Sequence, residues 1–121
     1  MANFPKTDEG TLDVTTVTVD DDRIALNFDG TVGKYGKVFV TIRLTATNPE
    51  RDAGRLEGSA RTIIDDGAVI TATLAGSWRR DRTQLKFFFV DNCSNGDQNF
   101  VTFDVDLGQK TSAVTVYSTL S

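Results

Sequence analysis

Apolar and polar residues alternate along most of this chain with a period of two. The segment KVFVTIRLTA, residues 37–46, is a clear example, because every second residue from Val38 to Ala46 is apolar. In an extended strand, such residues share one face. The same alternation recurs in seven further segments, separated by turn-forming residues such as Asp, Asn and Gly. The pattern predicts eight β-strands joined in sequence, mostly by tight turns.

The first strand carries one irregularity. In TLDVTTVTV, residues 11–19, the apolar positions change phase between Val14 and Val17. An extra residue in one strand of a pair has this effect, so a β-bulge or bend is expected there. No window of useful length follows the helical period, which excludes a helical fold.

Eight antiparallel strands that each have one apolar face have two good solutions. They close into an up-and-down barrel or stack as a two-sheet sandwich. The short links favour the barrel, because a Greek key needs a long crossing connection. We therefore expect residues 1–121 to form one all-β domain, an eight-stranded antiparallel up-and-down barrel, with the sandwich as the alternative. Small residues at inward positions also suit tight barrel curvature; these are Gly58, Ala60, Ala72 and Gly76.

In architecture, the predicted barrel resembles the small barrels of the calycin and allene oxide cyclase type. The resemblance concerns the strand pattern, and no motif in the chain places it in a family. It implies a lumen that holds a small apolar molecule or shapes an apolar substrate.

Composition and charge narrow the possible partners and location. The 121 residues include 13 basic and 17 acidic side chains, and this net charge of −4 argues against nucleic-acid binding. The first ten residues lack the apolar run typical of a signal peptide, and no segment has 18 consecutive apolar residues, so we expect neither a signal peptide nor a membrane span. A single cysteine cannot form an internal disulfide, which indicates a reducing compartment. The expected location is cytoplasmic.

The chain contains no histidine, and this excludes several chemistries at once. Cys-His and Ser-His-Asp catalysis and His-ligated zinc are not possible. Tyrosine can still serve as an acid or an oxyanion donor in a site without histidine. We therefore predict no metal and no cofactor, and we regard Tyr35 and Asp91 as the candidate catalytic residues.

The segment DNCSNGDQNF, residues 91–100, holds the single cysteine and the densest group of amides and carboxylates. As a calcium loop, it places a thiol, Cys93, where an oxygen ligand is required, and Thr102 where the bidentate glutamate is required, so calcium is disfavoured. As a nucleophile, Cys93 lacks a base. The favoured interpretation is a hairpin with Asn95 and Gly96 at its tip. Its polar flanks would rim one barrel mouth; they are Asp91, Asn92, Gln98 and Asn99.

The other polar motifs are interpreted as ordinary turns or strand connections. The glycine series in GTVGKYG, residues 30–36, has no following helix to bind phosphate, so it predicts a flexible strand connection or a bulge. Tyr35 within it could hold its hydroxyl over the mouth. The aspartates at 20–22 and 65–66 are expected at hairpin tips, and the arginines of the run at 79–82 are expected in a solvated turn.

Five apolar residues lie at strand positions where the alternation predicts side chains that point away from the core. A cluster of aromatics on an outer face suggests a contact surface, so we predict a homo-oligomer. The alternative is that the N-terminal segment folds over them. The five residues are Phe39, Phe88, Val90, Phe100 and Tyr117.

Three functions remain open from the sequence. The first is binding of a small apolar ligand in the lumen. The second is a cofactor-free cyclase or isomerase that orients an apolar substrate there. The third is a structural, self-assembling module whose lumen is filled by its own side chains. The predicted ligand-binding residues are Tyr35, Trp78, Phe87, Phe89 and Phe103.

Overall fold

A computed structural model describes residues 4–119, which form eight β-strands and one turn of 3-10 helix. The strands are β1 (Lys6–Val19), β2 (Arg23–Val32), β3 (Lys37–Ala46), β4 (Ala53–Ile63), β5 (Val69–Asp81), β6 (Gln84–Cys93), β7 (Gln98–Asp106) and β8 (Thr111–Ser118). The 3-10 turn, η1 (Gly33–Tyr35), lies between β2 and β3.

The strands close into a barrel. Each strand pairs antiparallel with the next one in sequence, and β8 pairs with β1. Connections of two to six residues join them, so no strand crosses over another. The predicted eight-stranded up-and-down barrel is therefore confirmed, and the sandwich is not formed.

The barrel has two ends, which we name after the aromatic residue near each. The tyrosine end carries the connections at 33–36, 64–68 and 94–97. The tryptophan end carries those at 20–22, 47–52, 82–83 and 107–110. Because neighbouring strands run in opposite directions, alternate connections fall at opposite ends.

Four phenylalanines fill the middle of the lumen. The ring of Phe28 meets the Phe103 ring edge to face with centroids 5.3 Å apart, and Phe87 stacks on Phe103 at 5.9 Å. Phe89 also contacts Phe103 at 5.3 Å. Rings in such arrangements stabilise a core beyond their area burial alone. This aromatic cluster leaves two separate cavities, one towards each end, which share no lining residue.

The predicted bulge in β1 is present. The register between β1 and β2 shifts between Val14 and Thr16. Beyond the shift, Val17 is exposed, although Val14 on the same strand is buried in the core. The bulge thus ends the core-facing run of β1 before the strand itself ends. Within residues 4–119, the structure contains no helix long and apolar enough to cross a membrane.

The outward apolar residues do not all lie together. The register places Val90 beside Phe100 and Phe100 beside Tyr117, in adjacent strands β6, β7 and β8. The rings of Phe100 and Tyr117 pack with centroids 6.1 Å apart, and Phe88 lies one row below on β6. Phe39 is exposed on β3, three strands away, and its neighbours there are Asp29 and Arg61. The single predicted cluster is thus a four-residue patch and a separate phenylalanine.

Candidate functional site

The 3-10 turn η1 positions Tyr35 at the tyrosine end. Tyr35 is only 7% exposed although it lies in a connection between strands. The carboxylate Oδ1 of Asp8, on β1, accepts a hydrogen bond of 2.9 Å from the backbone N–H of Lys34. This bond ties η1 to the barrel wall. Tyr35 therefore covers the lumen as part of a short segment attached to the strands.

Glycine is required at both boundaries of that segment. Gly33 has a φ of 45° and Gly36 a φ of 66°, a region that other residues adopt at a cost. A Cβ atom at Gly36 would also lie 2.8 Å from the carbonyl oxygen of Ile63. From the sequence, these glycines were predicted to form a flexible connection or a bulge. In the structure they let the chain turn inward over the mouth and back out into β3.

A hydrogen-bond network joins Tyr35 to β6, β7 and the turn between them. The Tyr35 hydroxyl donates to Asp97 Oδ2 at 2.8 Å. The side-chain amide of Asn99 donates to the Tyr35 hydroxyl and to Asp91 Oδ1, both at 3.0 Å. The fold thus brings together the two candidate catalytic residues, Tyr35 and Asp91, through Asn99, which is almost fully buried.

Cys93 belongs to the same network and is not at the tip of the turn. Its thiol donates to Asp91 Oδ1 at 3.7 Å and packs against the core. Burial, and then the charge of Asp91, raises the pKa of the Cys93 thiol to about 12. The group therefore stays protonated at neutral pH, which agrees with the sequence argument against a nucleophile.

The turn itself differs slightly from the prediction. The backbone N–H of Gly96 donates to the carbonyl of Cys93, and Gly96 has a φ of 94°. Asn95 does not share this positive φ; its side-chain oxygen instead accepts from the N–H of Asp97 at 3.0 Å. Gly96 alone supplies the positive φ that this four-residue connection uses.

The two carboxyl groups of the network have opposite electrostatics. Burial raises the pKa of Asp91 despite its bonds from Asn99 and Cys93. The hydrogen bond from Tyr35 lowers the pKa of Asp97, and Lys34 Nζ lies 3.7 Å from the same carboxylate. Burial also raises the pKa of Tyr35 above its ordinary value. Asp91 therefore accepts a proton more readily than an exposed aspartate, and Asp97 stays ionised.

Beneath Tyr35 lies a half-enclosed cavity of about 60 Å³. Its wall is mainly aliphatic, and its four polar lining residues are Tyr35, Thr62, Asp91 and Cys93. Ala60 and Ala72 pair directly and both line this space, which stays open because each side chain is a single methyl group. One water-sized group needs about 10–15 Å³ of such space, so the cavity has room for a few heavy atoms. Its volume is far below the roughly 300–1,000 Å³ of drug-sized sites.

Thr62 has no hydrogen-bond partner in this cavity. It lies on β4 between Val38 and Ile70, and it is 7% exposed. Its Oγ1 is buried and unpartnered, whereas Tyr35, Asp91 and Cys93 bond to the network. In the sequence, Thr62 follows the alternation of β4 as one more inward position, and this alternation carries no information on whether its hydroxyl has a hydrogen-bond partner.

The predicted ligand-binding residues separate into three groups. Tyr35, Phe89 and Phe103 line the cavity at the tyrosine end. Phe87 is fully buried in the aromatic cluster, and Trp78 lies at the opposite end. These five side chains therefore do not surround one space.

The polar residues predicted to rim the mouth are likewise divided by alternation. Asp91 and Asn99 point into the barrel, where both join the network. Asn92 and Gln98 are exposed on the outer surface. Adjacent residues on a strand face opposite sides, so only half of such a cluster can reach the lumen.

The tryptophan end is built differently. The Trp78 indole N–H donates to the carbonyl of Thr45 at 3.2 Å, and the side chain is 6% exposed. A cavity of about 130 Å³ lies outside it, and three arginines line that space. They are Arg23, Arg51 and Arg80.

Residues 4–119 contain no group of three or more cysteine, aspartate or glutamate side chains arranged to hold a metal ion. The aspartates at 20–22 and 65–66 lie at or beside hairpin turns, as the sequence indicated. Comparison with protein-family models, with curated proteins and with solved structures finds no match to this chain.

Proposed function

We propose that the protein binds a small, mainly apolar molecule in the cavity beneath Tyr35. The observation that carries this proposal is the aliphatic, half-enclosed cavity directly under a polar hydrogen-bond network. Small-molecule sites combine an apolar wall with a few oriented polar groups. The volume limits the part inside the lumen to a few heavy atoms, and any larger remainder would lie at the mouth.

The charges at the mouth favour a ligand without negative charge. Three carboxylates lie around it, those of Asp8, Asp91 and Asp97, and the ammonium group of Lys34 pairs with one of them. Bringing a carboxylate ligand between them would cost Coulomb and desolvation energy. A fatty acid or a phosphate ester is therefore a poor candidate, and a neutral molecule fits better.

Binding would involve movement of η1. Tyr35 covers the cavity, and the segment that carries it is bounded by Gly33 and Gly36. Connections with few core contacts open more readily than paired strands. In this proposal η1 moves outward, the ligand enters, and the bond from Lys34 to Asp8 forms again on closure.

The direct test uses xenon under pressure as the apolar probe, followed by amide shifts in two-dimensional NMR spectra. Xenon should shift the amides of Thr62, Ala72 and Phe89, which line the cavity. Native mass spectrometry of protein purified without denaturation would show whether a ligand is retained. Absence of any xenon response at these residues would contradict the proposal.

A matched pair of variants serves as control. Ala72→Leu places additional carbons in the cavity and should abolish the xenon response. Ala113→Leu adds the same atoms to an exposed outward position on β8 and should leave the response unchanged. Equal loss in both variants would show that the response does not come from the cavity.

A second candidate function is supported by the position of Asp91. Its partly buried carboxyl lines the cavity, and burial raises its pKa. A carboxylate with a raised pKa is a stronger base than an exposed aspartate. A cofactor-free isomerase would use Asp91 to move a proton on a bound substrate. Asp91→Asn would then remove turnover while substrate binding remains.

We also propose that the four-residue patch on β6–β8 mediates self-association with a second copy of the chain. Val90 is 45% exposed at the β6 end of a row that continues through Phe100 to Tyr117. Its border carries both signs of charge, because Lys86 and Asp104 pair beside it at 3.3 Å. A border with both signs of charge suits a two-fold interface, in which a lysine of one copy can face an aspartate of the other.

Sedimentation tests this interface. Val90→Lys should convert an oligomer to monomer, whereas Val69→Lys, at an exposed site on β5 outside the patch, should not. A wild-type protein that sediments as a monomer at high concentration would exclude the interface.

A further inference from the structure

We propose that the Thr62 hydroxyl donates a hydrogen bond to the ligand, and that the ligand is a small neutral molecule with one carbonyl oxygen on an apolar body. This inference rests on the proposed binding function. It adds the chemical class of the ligand and the residue that selects it.

The first reason is the unsatisfied state of Thr62. Its Oγ1 is buried and has no hydrogen-bond partner, and Thr62 is one of the residues that line the cavity. Buried polar groups in proteins nearly always have a partner, and an unpaired one costs free energy. A ligand oxygen at this position would supply the partner.

The second reason is that the other polar groups of the cavity are already engaged. The Tyr35 hydroxyl proton is donated to Asp97, and the Cys93 thiol proton to Asp91. The Asn99 amide donates to both Tyr35 and Asp91. Among the described residues that line the cavity, Thr62 is thus the one whose hydroxyl proton has no acceptor.

The location of Thr62 determines which part of the ligand it would hold. Val38 and Ile70 lie beside it in the strand pairing, and Ala60 is the next inward residue on β4. The hydroxyl is therefore surrounded by aliphatic wall, so a ligand group that reaches it must be flanked by carbon. A ketone or aldehyde meets this requirement, because its oxygen accepts a hydrogen bond and needs to donate none.

The three carboxylates around the mouth also favour a neutral ligand over an acid, because they repel negative charge. An acid would bring a fourth negative group close to Asp91 and Asp97. A neutral carbonyl adds no negative charge, and its oxygen would accept the hydrogen bond that the buried Thr62 hydroxyl otherwise does not make.

The experiment compares 2-butanone with 2-methyl-1-butene, in which a methylene group replaces the carbonyl oxygen. Each is titrated into the wild-type protein and into Thr62→Val, which keeps the side-chain shape without the hydroxyl. Dissociation constants come from amide shifts of cavity residues. For 2-butanone we expect affinity to fall roughly three- to ten-fold in Thr62→Val, the loss of one net hydrogen bond. For 2-methyl-1-butene we expect no loss.

A third variant separates recognition from structure. Thr62→Ser keeps the hydroxyl and removes a methyl group, so it should retain the preference for 2-butanone. If Thr62→Val and the wild type prefer 2-butanone to the same degree, the role of Thr62 is wrong although the cavity binds. If neither probe shifts the cavity residues of the wild-type protein, both the inference and the proposed function are wrong.

Discussion

The two ends of the barrel are closed by aromatic residues that are held in different ways. Trp78 lies on β5, inside a strand paired on both sides, and its indole N–H bonds to the backbone of β3. Tyr35 lies on a three-residue turn between glycines, and its hydroxyl bonds to the side chains of Asp97 and Asn99. Both residues are buried to the same extent.

This difference indicates which end can open. Moving Trp78 would break backbone pairing with two neighbouring strands, so its closure is part of the fold. Moving Tyr35 would break a few hydrogen bonds and rotate the chain at Gly33 and Gly36. Burial alone therefore does not distinguish a structural residue from a cover, whereas the element that carries the side chain does.

The largest expected effect is at the tryptophan end. Trp78→Ala removes a buried aromatic side chain from a paired strand and should lower the free energy of unfolding by about 3–5 kcal/mol. Urea denaturation followed by circular dichroism measures this change. A loss smaller than that of Tyr35→Phe would contradict the structural role assigned to Trp78.

The next effect is at the tyrosine end. Tyr35→Phe keeps the ring but removes the hydroxyl that bonds to Asp97 and Asn99. We expect a loss of about 1–2 kcal/mol, since a buried amide donor is left without one of its partners. The same variant should also shorten the lifetime of the closed cover, measured as faster amide exchange at Tyr35.

The pH dependence of this variant follows from Asp97. The bond from Tyr35 lowers the pKa of Asp97 in the folded state below its ordinary value of 3.8. A lowered carboxyl pKa contributes stability above pH 3.8, and this contribution is lost as pH falls through the folded-state pKa. The wild type should therefore lose more stability than Tyr35→Phe on acidification. Parallel urea midpoints for both proteins across this range would contradict the assignment.

Thr62→Val should raise stability by about 1 kcal/mol in the absence of ligand. The substitution removes a buried hydroxyl that has no partner and keeps the side-chain volume. Urea denaturation compares it with Thr71→Val, on the next strand at an exposed outward position, which should change little. A destabilised Thr62→Val would show that the hydroxyl has a partner in the folded protein.

The smallest effect is expected for Asp91→Asn. Burial raises the pKa of Asp91 in the folded state, so its ionised form opposes folding above pH 3.8. Asparagine keeps an oxygen that can accept from Asn99 without the buried charge. The variant should therefore gain stability relative to the wild type as pH rises from acid to neutral. The gain should be absent at acid pH, where Asp91 is protonated in both states.

The fold was predictable because each barrel strand has a local sequence pattern, the alternation of apolar and polar residues. Every second residue of β3, from Val38 to Leu44, is buried, as the alternation indicated. The bulge near Val14 was also readable, since one extra residue reverses the phase. Closure followed from short connections, because eight strands joined by seven consecutive hairpins leave the first and last strands as the two edges to be paired.

The site was predictable only in part. Tyr35 and Asp91 were predicted as candidate residues from their chemistry, whereas Asn99, which hydrogen-bonds to both, was predicted only as one of four equivalent rim residues. The contact between Tyr35 and Asp97 spans 62 positions in sequence, and no local pattern reports it. Trp78 and Phe87 were predicted to line the same pocket as Tyr35, and neither lines the cavity beneath it. The alternation shows that a side chain points inward, but it does not show how far along the barrel axis that side chain lies.

The sequence by itself determined that this chain forms eight strands, which face of each strand is apolar and where the turns fall. These properties depend on neighbours one or two positions apart, and the period of two makes them visible. Only the tertiary structure decided that four phenylalanines fill the middle, that Ala60 and Ala72 meet to leave a cavity, and that the Thr62 hydroxyl has no partner. These features depend on strand register and on side chains from different strands meeting in one space, which is set when the barrel closes.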